Sequence, residues 1–414
     1  MMFRRWALGL LAMLWLGLTG TAALADTTAG PSASSPNGDL TLAVSIDGDG
    51  RAQYAVSRKG KALIAPSGLG FILTDGLNMV RGWTVIGSET ATGDDTWEQP
   101  WGERRFVRNH YNELLVRLKQ AENQGSRLMN VRFRLFDDGI GFRYELPEQP
   151  AFKTMRIADE ITEFVIAPKG TAWWAAGLEW NREEQLYNRT AIDAVATAQT
   201  PMTMVLEDGT HLAIHEAALV DYAGLYLKRA DGQTFRTTLA PSSRGPRVVR
   251  DLPFATPWRT IRIAGSAAGL VENDLELNLN EPNKLGDVSW FKPMKYIGIW
   301  WGMIRGDWTW AEGPRHGATT ERAKQYIDFA ARHGFGGVLI EGWDKGWNGD
   351  WLGHGESFSF TEPVPDFDLR AVTDYARKNK VQLIGHNETG GNIVNYESQL
   401  EAAMKLYSSL GMNS

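Results

Sequence analysis

From Gly38 to about Leu285 the chain alternates apolar and polar residues in short runs, among them Leu40 to Ile46, Val131 to Leu135 and Leu275 to Leu279. A period of two turns one face of a strand inward and the other outward. Asp-Gly pairs separate the runs, at Asp47-Gly48, Asp75-Gly76, Asp138-Gly139, Asp208-Gly209 and Asp231-Gly232. Such pairs suit the tight turns of hairpins. The pattern predicts a large antiparallel β-sandwich over residues 38–285.

After Trp290 the period changes. Tyr296-Ile297-Gly298-Ile299-Trp300 predicts a short buried strand, and a helix follows from about Thr319 to His333 with Ala323, Tyr326, Ile327 and Ala330 on one face. Gly334 closes that helix. Gly337 to Glu341 predicts a second strand, Asp368 to Lys378 a second helix facing inward with Leu369, Val372 and Ala376, and Val381 to His386 a third strand. A third helix, about Asn395 to Leu410, puts Leu400, Ala403, Met404 and Tyr407 on one face, with Gly411 after it. Alternating strands and helices with apolar strands indicate a parallel sheet covered by helices. Three such units over residues 291–414 make up about half of the ~250 residues of a closed (β/α)8 barrel. The expectation is an incomplete TIM barrel in a truncated chain; the alternative is a small open sheet completed by the sandwich or by another chain.

The amino terminus carries a different signal. Arg4 and Arg5 precede an apolar stretch from Trp6 to about Leu18, and small residues lead to Ala23-Leu24-Ala25. This is the layout of a secretory signal peptide, residues 1–25, too short for the ~20 apolar residues of a membrane span. A periplasmic or secreted protein without a stable membrane anchor is expected after cleavage near Ala25. Residues 26–37, rich in Ser, Thr, Ala, Gly and Pro, read as a flexible leader.

Composition narrows the chemistry. The absence of cysteine excludes disulfides, thiolate metal sites and thiol catalysis, so a metal must be held by oxygen or imidazole. A net charge of −6 gives no basic footprint for nucleic acid. The 17 tryptophans are a heavy load of rings that suit sugar faces and protein cores alike.

In barrels the site lies at the carboxyl ends of the strands. Trp300, Trp301, Trp308 and Trp310 follow the first strand; Glu341-Gly342-Trp343-Asp344, Trp347 and Trp351 the second; His386-Asn387-Glu388-Thr389 the third. Glycosidic cleavage needs two carboxyl groups flanking the anomeric carbon, which makes Glu341 and Glu388 candidates, each open also to a role as a hydrogen-bond partner of substrate. In the sandwich, His211 and His215 share a strand face, a pair read as structural for want of a third ligand. Glu216, among Ile214, Ala217, Ala218 and Leu219, needs a cation, a metal or a hydrogen-bond network, since an unpaired buried carboxylate is strongly unfavourable.

Several segments resemble glycoside hydrolase family 97: Trp97-Glu98-Gln99-Pro100-Trp101-Gly102, Asn109-His110-Tyr111-Asn112-Glu113, Phe136 to Tyr144, His215 to Leu219, Thr256-Pro257-Trp258-Arg259, Lys295 to Trp301, Glu341-Gly342-Trp343 and His386-Asn387-Glu388-Thr389. The resemblance runs over nearly the whole chain beyond the secretory segment. It implies an exported, exo-acting α-glucosidase that cleaves starch-derived oligosaccharides with inversion and depends on Ca²⁺. It implies Glu388 as general base, Glu341, Trp343, His386 and Trp301 as substrate-binding residues, Glu216 as a calcium ligand, and a proton donor outside this chain, which would leave the chain by itself inactive. Two alternatives are a retaining α-galactosidase of the same family and a non-catalytic oligosaccharide-binding protein.

Overall fold

The run Leu40–Ile46 buries Leu40, Leu42 and Val44 and exposes Thr41, Ala43 and Ser45, the period-two pattern of a half-buried strand. Strands of this kind build the first part of the protein. The computed structural model describes residues 30–76, 78–178 and 185–414; the expected secretory segment lies outside them. The described chain forms two compact units, one holding the residues up to Gly93 with His110–Gly177 and Tyr187–Glu276, the other holding Asp94–Asn109 and Leu277–Ser414.

Among the described residues of the first unit, one sheet has eight strands, running in space from Ser32–Ser34 through Leu40–Ile46, Ala52–Arg58, Lys61–Gly68, Glu163–Ile166, Thr234–Leu239 and Leu225–Asp231 to Thr197–Gln199. A ten-stranded sheet is centred on His211–Ala217, Trp258–Ala264, Gly139–Leu146 and Leu128–Phe136, paired antiparallel with Phe133 opposite Phe142. The inward faces of the two sheets meet in one core. Tyr54 and Phe164 of the first sheet pack on Phe142 of the second at ring-centroid distances of 4.7 and 6.2 Å. All three rings are fully buried. Greasy alternation on both sheets is what makes this a sandwich rather than a single exposed sheet.

The second unit carries a three-stranded parallel sheet, Tyr296–Gly298, Gly337–Leu339 and Gln382–Ile384, in that spatial order. Its helices begin and end where the sequence marks them. Thr319 caps Thr320–His333 through Oγ1, which accepts from the Arg322 N–H, and Gly334 ends it at φ 73°. Asp368 caps Leu369–Lys378, and Asn392 caps Ile393–Leu410, which Gly411 closes at φ 68°. The architecture is therefore the expected one, a large β-sandwich followed by part of an α/β barrel. Among the described residues no helix is long and apolar enough to cross a membrane.

Several expectations need correction. Leu275–Leu279 is a helix, not a strand. Residues i and i+4 share a face under either period, so buried Leu275 and Leu279 could not distinguish the two, and Leu277, 39% exposed, breaks the alternation. The leader is not wholly flexible: Ser32–Ser34 pairs with Thr41–Ala43, and Ser35 is buried. Tyr296 is exposed because its strand stands at the sheet edge, and Trp300 opens the helix Trp300–Ile304 instead of ending a strand. On the last helix Ala403, Tyr407 and Leu410 face inward, whereas Met404, a single residue and so 100° further round, is exposed.

Phe142 lies at the centre of the sandwich core, touching rings from both sheets. Phe142→Ala should lower the unfolding free energy by about 3–5 kcal/mol, read from the shift in urea midpoint at unchanged m-value.

Candidate active site

The strand Gly337–Leu339 delivers Ile340 into the core and Glu341 just beyond it, its side chain only 13% exposed. Gly342 follows at φ 90°, a left-handed turn that favours glycine. Beyond it Trp343 turns back into the core, against Phe367 and Tyr407. The strand Gln382–Ile384 delivers His386 and Glu388 beside Glu341. The backbone there is held from two directions: the His386 carbonyl accepts from Trp343 Nε1 at 3.0 Å and from the Tyr407 hydroxyl at 3.2 Å. The one proton of that hydroxyl is shared with Asn387 Oδ1, the nearer acceptor at 2.6 Å.

Glu341, His386 and Glu388 form one cluster, their nearest ligating atoms all within 4.8 Å of one another. Glu341 Oε2 accepts from Trp310 Nε1 at 3.0 Å, and Glu341 Oε1 lies 3.5 Å from His386 Nε2. Glu388 Oε1 accepts from the Gly390 N–H at 2.7 Å. Burial pushes the Glu341 carboxyl above its ordinary range; the Trp310 N–H opposes that rise and the Glu388 charge adds to it. Burial likewise lowers the His386 imidazole, against the pull of Glu388. The imidazole is therefore favoured in its neutral form, able to donate from one nitrogen and accept at the other.

Behind the cluster stands a wall of rings. Trp347 is almost fully buried and lies nearly parallel to Trp310, with centroids 6.2 Å apart and planes at 10°. It also faces His386 at 6.3 Å and 26°. The Trp347 Nε1 donates to Oδ1 of Asp344 at 2.9 Å, and that carboxyl is completely buried.

The structure thus unites three of the expected residues, Glu341, His386 and Glu388. Trp343 is a correction: at 4% exposure it is core, and it serves the site through its N–H rather than through its ring face. Trp301, 61% exposed, packs on Trp300, and among the described residues no hydrogen bond ties it to the cluster. Asp344, Trp310, Trp347 and Tyr407 were given no individual role by the sequence. The signal for Asp344, Trp310 and Trp347 was only their place in aromatic strand-end segments, and that for Tyr407 its place on the apolar face of the last helix, because a hydrogen bond from an indole or a phenol has no spacing rule.

Comparison with known proteins decides the family. A family model described as Glycosyl-hydrolase 97 N-terminal matches residues 33–282, and one described as Glycoside hydrolase 97 matches residues 300–414. The chain belongs to glycoside hydrolase family 97. A structure of a family 97 enzyme from Pseudoalteromonas sp. strain K8 in complex with acarbose superposes with a TM-score of 0.88 at 44% identity, over 92% of this chain and 58% of that one. A variant from the same strain in complex with panose gives the same values. A curated relative, the retaining alpha-galactosidase of Bacteroides thetaiotaomicron, is 24% identical over 92% of this chain and 58% of its own length. The chain spans about half the length of the curated relatives it matches.

Glu216, the carboxylate expected to need a partner in the sandwich, has two. Its Oε2 accepts from Arg259 Nη1 at 2.7 Å and its Oε1 from the Leu225 N–H at 2.9 Å. Arg259 is fully buried and also grips Glu160, with Nε and Nη2 on the two carboxylate oxygens at 2.8 and 2.6 Å. Burial acts against the guanidinium charge, but Glu160 and Glu216 outweigh it and raise the Arg259 pKa. Glu216 thus has an arginine partner within the sandwich, the reading that the sequence left open beside a metal. Among the described residues Glu341, His386 and Glu388 are grouped closely enough to hold a metal ion, with two carboxylates and one imidazole to offer. His211 and His215 are engaged with the Gly209 carbonyl and the Thr200 hydroxyl respectively.

Two outcomes follow for this family 97 chain. Arg259→Met strands two buried carboxylates and should cost about 3–5 kcal/mol in urea unfolding, well beyond the cost of Glu216→Gln. Asp344 gives a pH test. Burial pushes its carboxyl up to about 7, with the Trp347 N–H opposing and Glu388 adding. A carboxyl with a raised folded pKa contributes stability that is complete below its unfolded pKa and lost as pH rises through the folded one. Asp344→Asn has no proton to lose, so its stability relative to wild type should rise between about pH 5 and about pH 8, as read from urea midpoints at the two pH values.

Proposed function

We propose that the protein carrying this chain is an exo-acting α-glucosidase that hydrolyses starch-derived oligosaccharides with inversion. The observation that carries this reading is the 44% identity, over 92% of the chain, to an enzyme held in complex with acarbose. The panose complex, at the same identity, supports oligosaccharide as the substrate class. Glu388 takes the proton of the attacking water; its Oε1 is fixed by Gly390, which aims the carboxylate. Glu341 and His386 orient the sugar through the carboxyl and imidazole edges left open by Trp310. In an inverting mechanism the acid and base stand about 6.5–9.5 Å apart to admit a water. One oxygen of Glu341 and one of Glu388 lie within 4.8 Å of each other, which supports a proton donor outside this pair.

A retaining α-galactosidase is the second reading, favoured by the names of the curated relatives at 24% and 28% identity. The Arg4-Arg5 segment and its apolar run support export from the cytoplasm. A calcium requirement, with Glu216 among the ligands, belongs to the proposal for the whole protein, and EDTA followed by calcium repletion tests it.

The deciding experiment follows maltotriose and an α-galactoside with the whole protein by proton NMR. Glucose appearing first as the β anomer, with Glu388→Gln slower by about a hundredfold to ten-thousandfold, is the expected result. Galactoside preference with the α anomer first supports the second reading, and binding without turnover overturns both.

A further inference from the structure

Asp344 has no part in the roles given above, yet it is the most completely buried carboxyl near the cluster. It sits on the short strand Asp344–Lys345, which pairs with Ser359–Pro363. Its Oδ1 accepts from Trp347 Nε1 at 2.9 Å, and its Oδ2 is buried with no hydrogen-bond partner among the described residues. A buried polar atom left unpaired is costly, and packing alone would be better met by an apolar side chain of this volume. Trp347 shows what the carboxyl holds. The indole is packed by Trp310, Trp351, Phe358 and His386, at centroid distances from 5.0 to 6.3 Å. Two of these four, Trp310 and His386, are the groups that contact the two oxygens of Glu341.

We propose that Asp344 is a positioning residue: by fixing the rotation of the Trp347 indole it sets Trp310 and His386, and through them the Glu341 carboxyl. It acts as an acceptor through Oδ1 and touches no substrate. An asparagine meets that requirement, because its Oδ1 can take the same hydrogen bond while Nδ2 stands where Oδ2 stands now. A leucine of similar bulk does not, and it leaves the buried Trp347 N–H without an acceptor.

The inference deepens the reading of the Glu341–His386–Glu388 cluster as a sugar site, but its test needs no turnover and so can fail separately. The measurement is hydrogen exchange of the Trp310 indole N–H by ¹H–¹⁵N NMR on the whole protein. That proton reports the Trp310–Glu341 bond, which neither substitution touches directly. Asp344→Asn should keep its exchange within about twofold of wild type, and Asp344→Leu should speed it roughly tenfold, with the far-ultraviolet circular dichroism unchanged. A carboxyl that only fills space predicts the same slow exchange in Asp344→Leu, and that result overturns the proposal, as does Asp344→Asn exchanging as fast as Asp344→Leu. Should Asp344→Leu not fold, Trp347→Phe removes the same hydrogen bond from the donor side while keeping a ring; slow Trp310 exchange in that variant overturns the proposal equally.

Discussion

A buried acceptor must find a donor, and in the strand-end cluster three of the donors are indoles. Trp310 donates to Glu341, Trp343 to the His386 carbonyl and Trp347 to Asp344. An indole N–H satisfies one lone pair and brings no charge. It therefore holds a carboxyl in place while compensating only part of the desolvation of its ionised form. That is why the carboxyls of Glu341 and Asp344 both stay above their ordinary range, with burial as the leading cause. The site is fixed in geometry while its acidity is left to the depth of the pocket and to the neighbouring Glu388.

The sandwich solves the same problem with the opposite donor. Arg259 holds Glu160 and Glu216, and Arg132 joins Glu113 to Glu145. Although burial raises the Glu145 carboxyl, Arg132 and Arg143 outweigh it and bring it below the usual range. Guanidinium forks meet carboxylates in two places at once and keep them charged. Removing such a partner is harmful chiefly because it leaves a charge buried. The contrast is between Glu145, which its arginines hold below the usual range, and Glu341 and Asp344, whose tryptophan partners leave them above it.

This division explains what could be read in advance. Periods of two and of 3.6, capping residues such as Thr319 and Asp368, and closing glycines such as Gly334 and Gly411 are local signals, and the strands and helices they announce are present. Leu275–Leu279 was misread because five residues are too few to separate the periods. Glu341, His386 and Glu388 were legible because chain order places residues after parallel strands at one end of the sheet. The partner of Glu216 was not, since Arg259 lies 43 residues away and meets it only through strand register. For the tryptophans, aromatic count carried no information about whether a ring face or a ring N–H would be used. Trp343 uses the N–H.

The placement of the cluster depends finally on two residues with no side chain. Gly385 follows the third strand, and a Cβ there would stand 2.9 Å from the ring of Tyr407. That ring cannot retreat without giving up its hydroxyl's contacts with His386 and Asn387. Gly342 follows the second strand at φ 90°, a left-handed turn that favours glycine, although a Cβ there would make only ordinary contacts with Ala318 and Trp310. The turn can therefore be made tightly enough for Trp310 to reach Glu341 and for Trp343 to pass beneath it. Each glycine lets a strand end abruptly, so that the acidic or imidazole group beside it is projected outward while the next aromatic donor returns to the core. The acceptors and their indole donors are thus brought together by backbone freedom at two positions, and the titration behaviour of the cluster follows from that geometry.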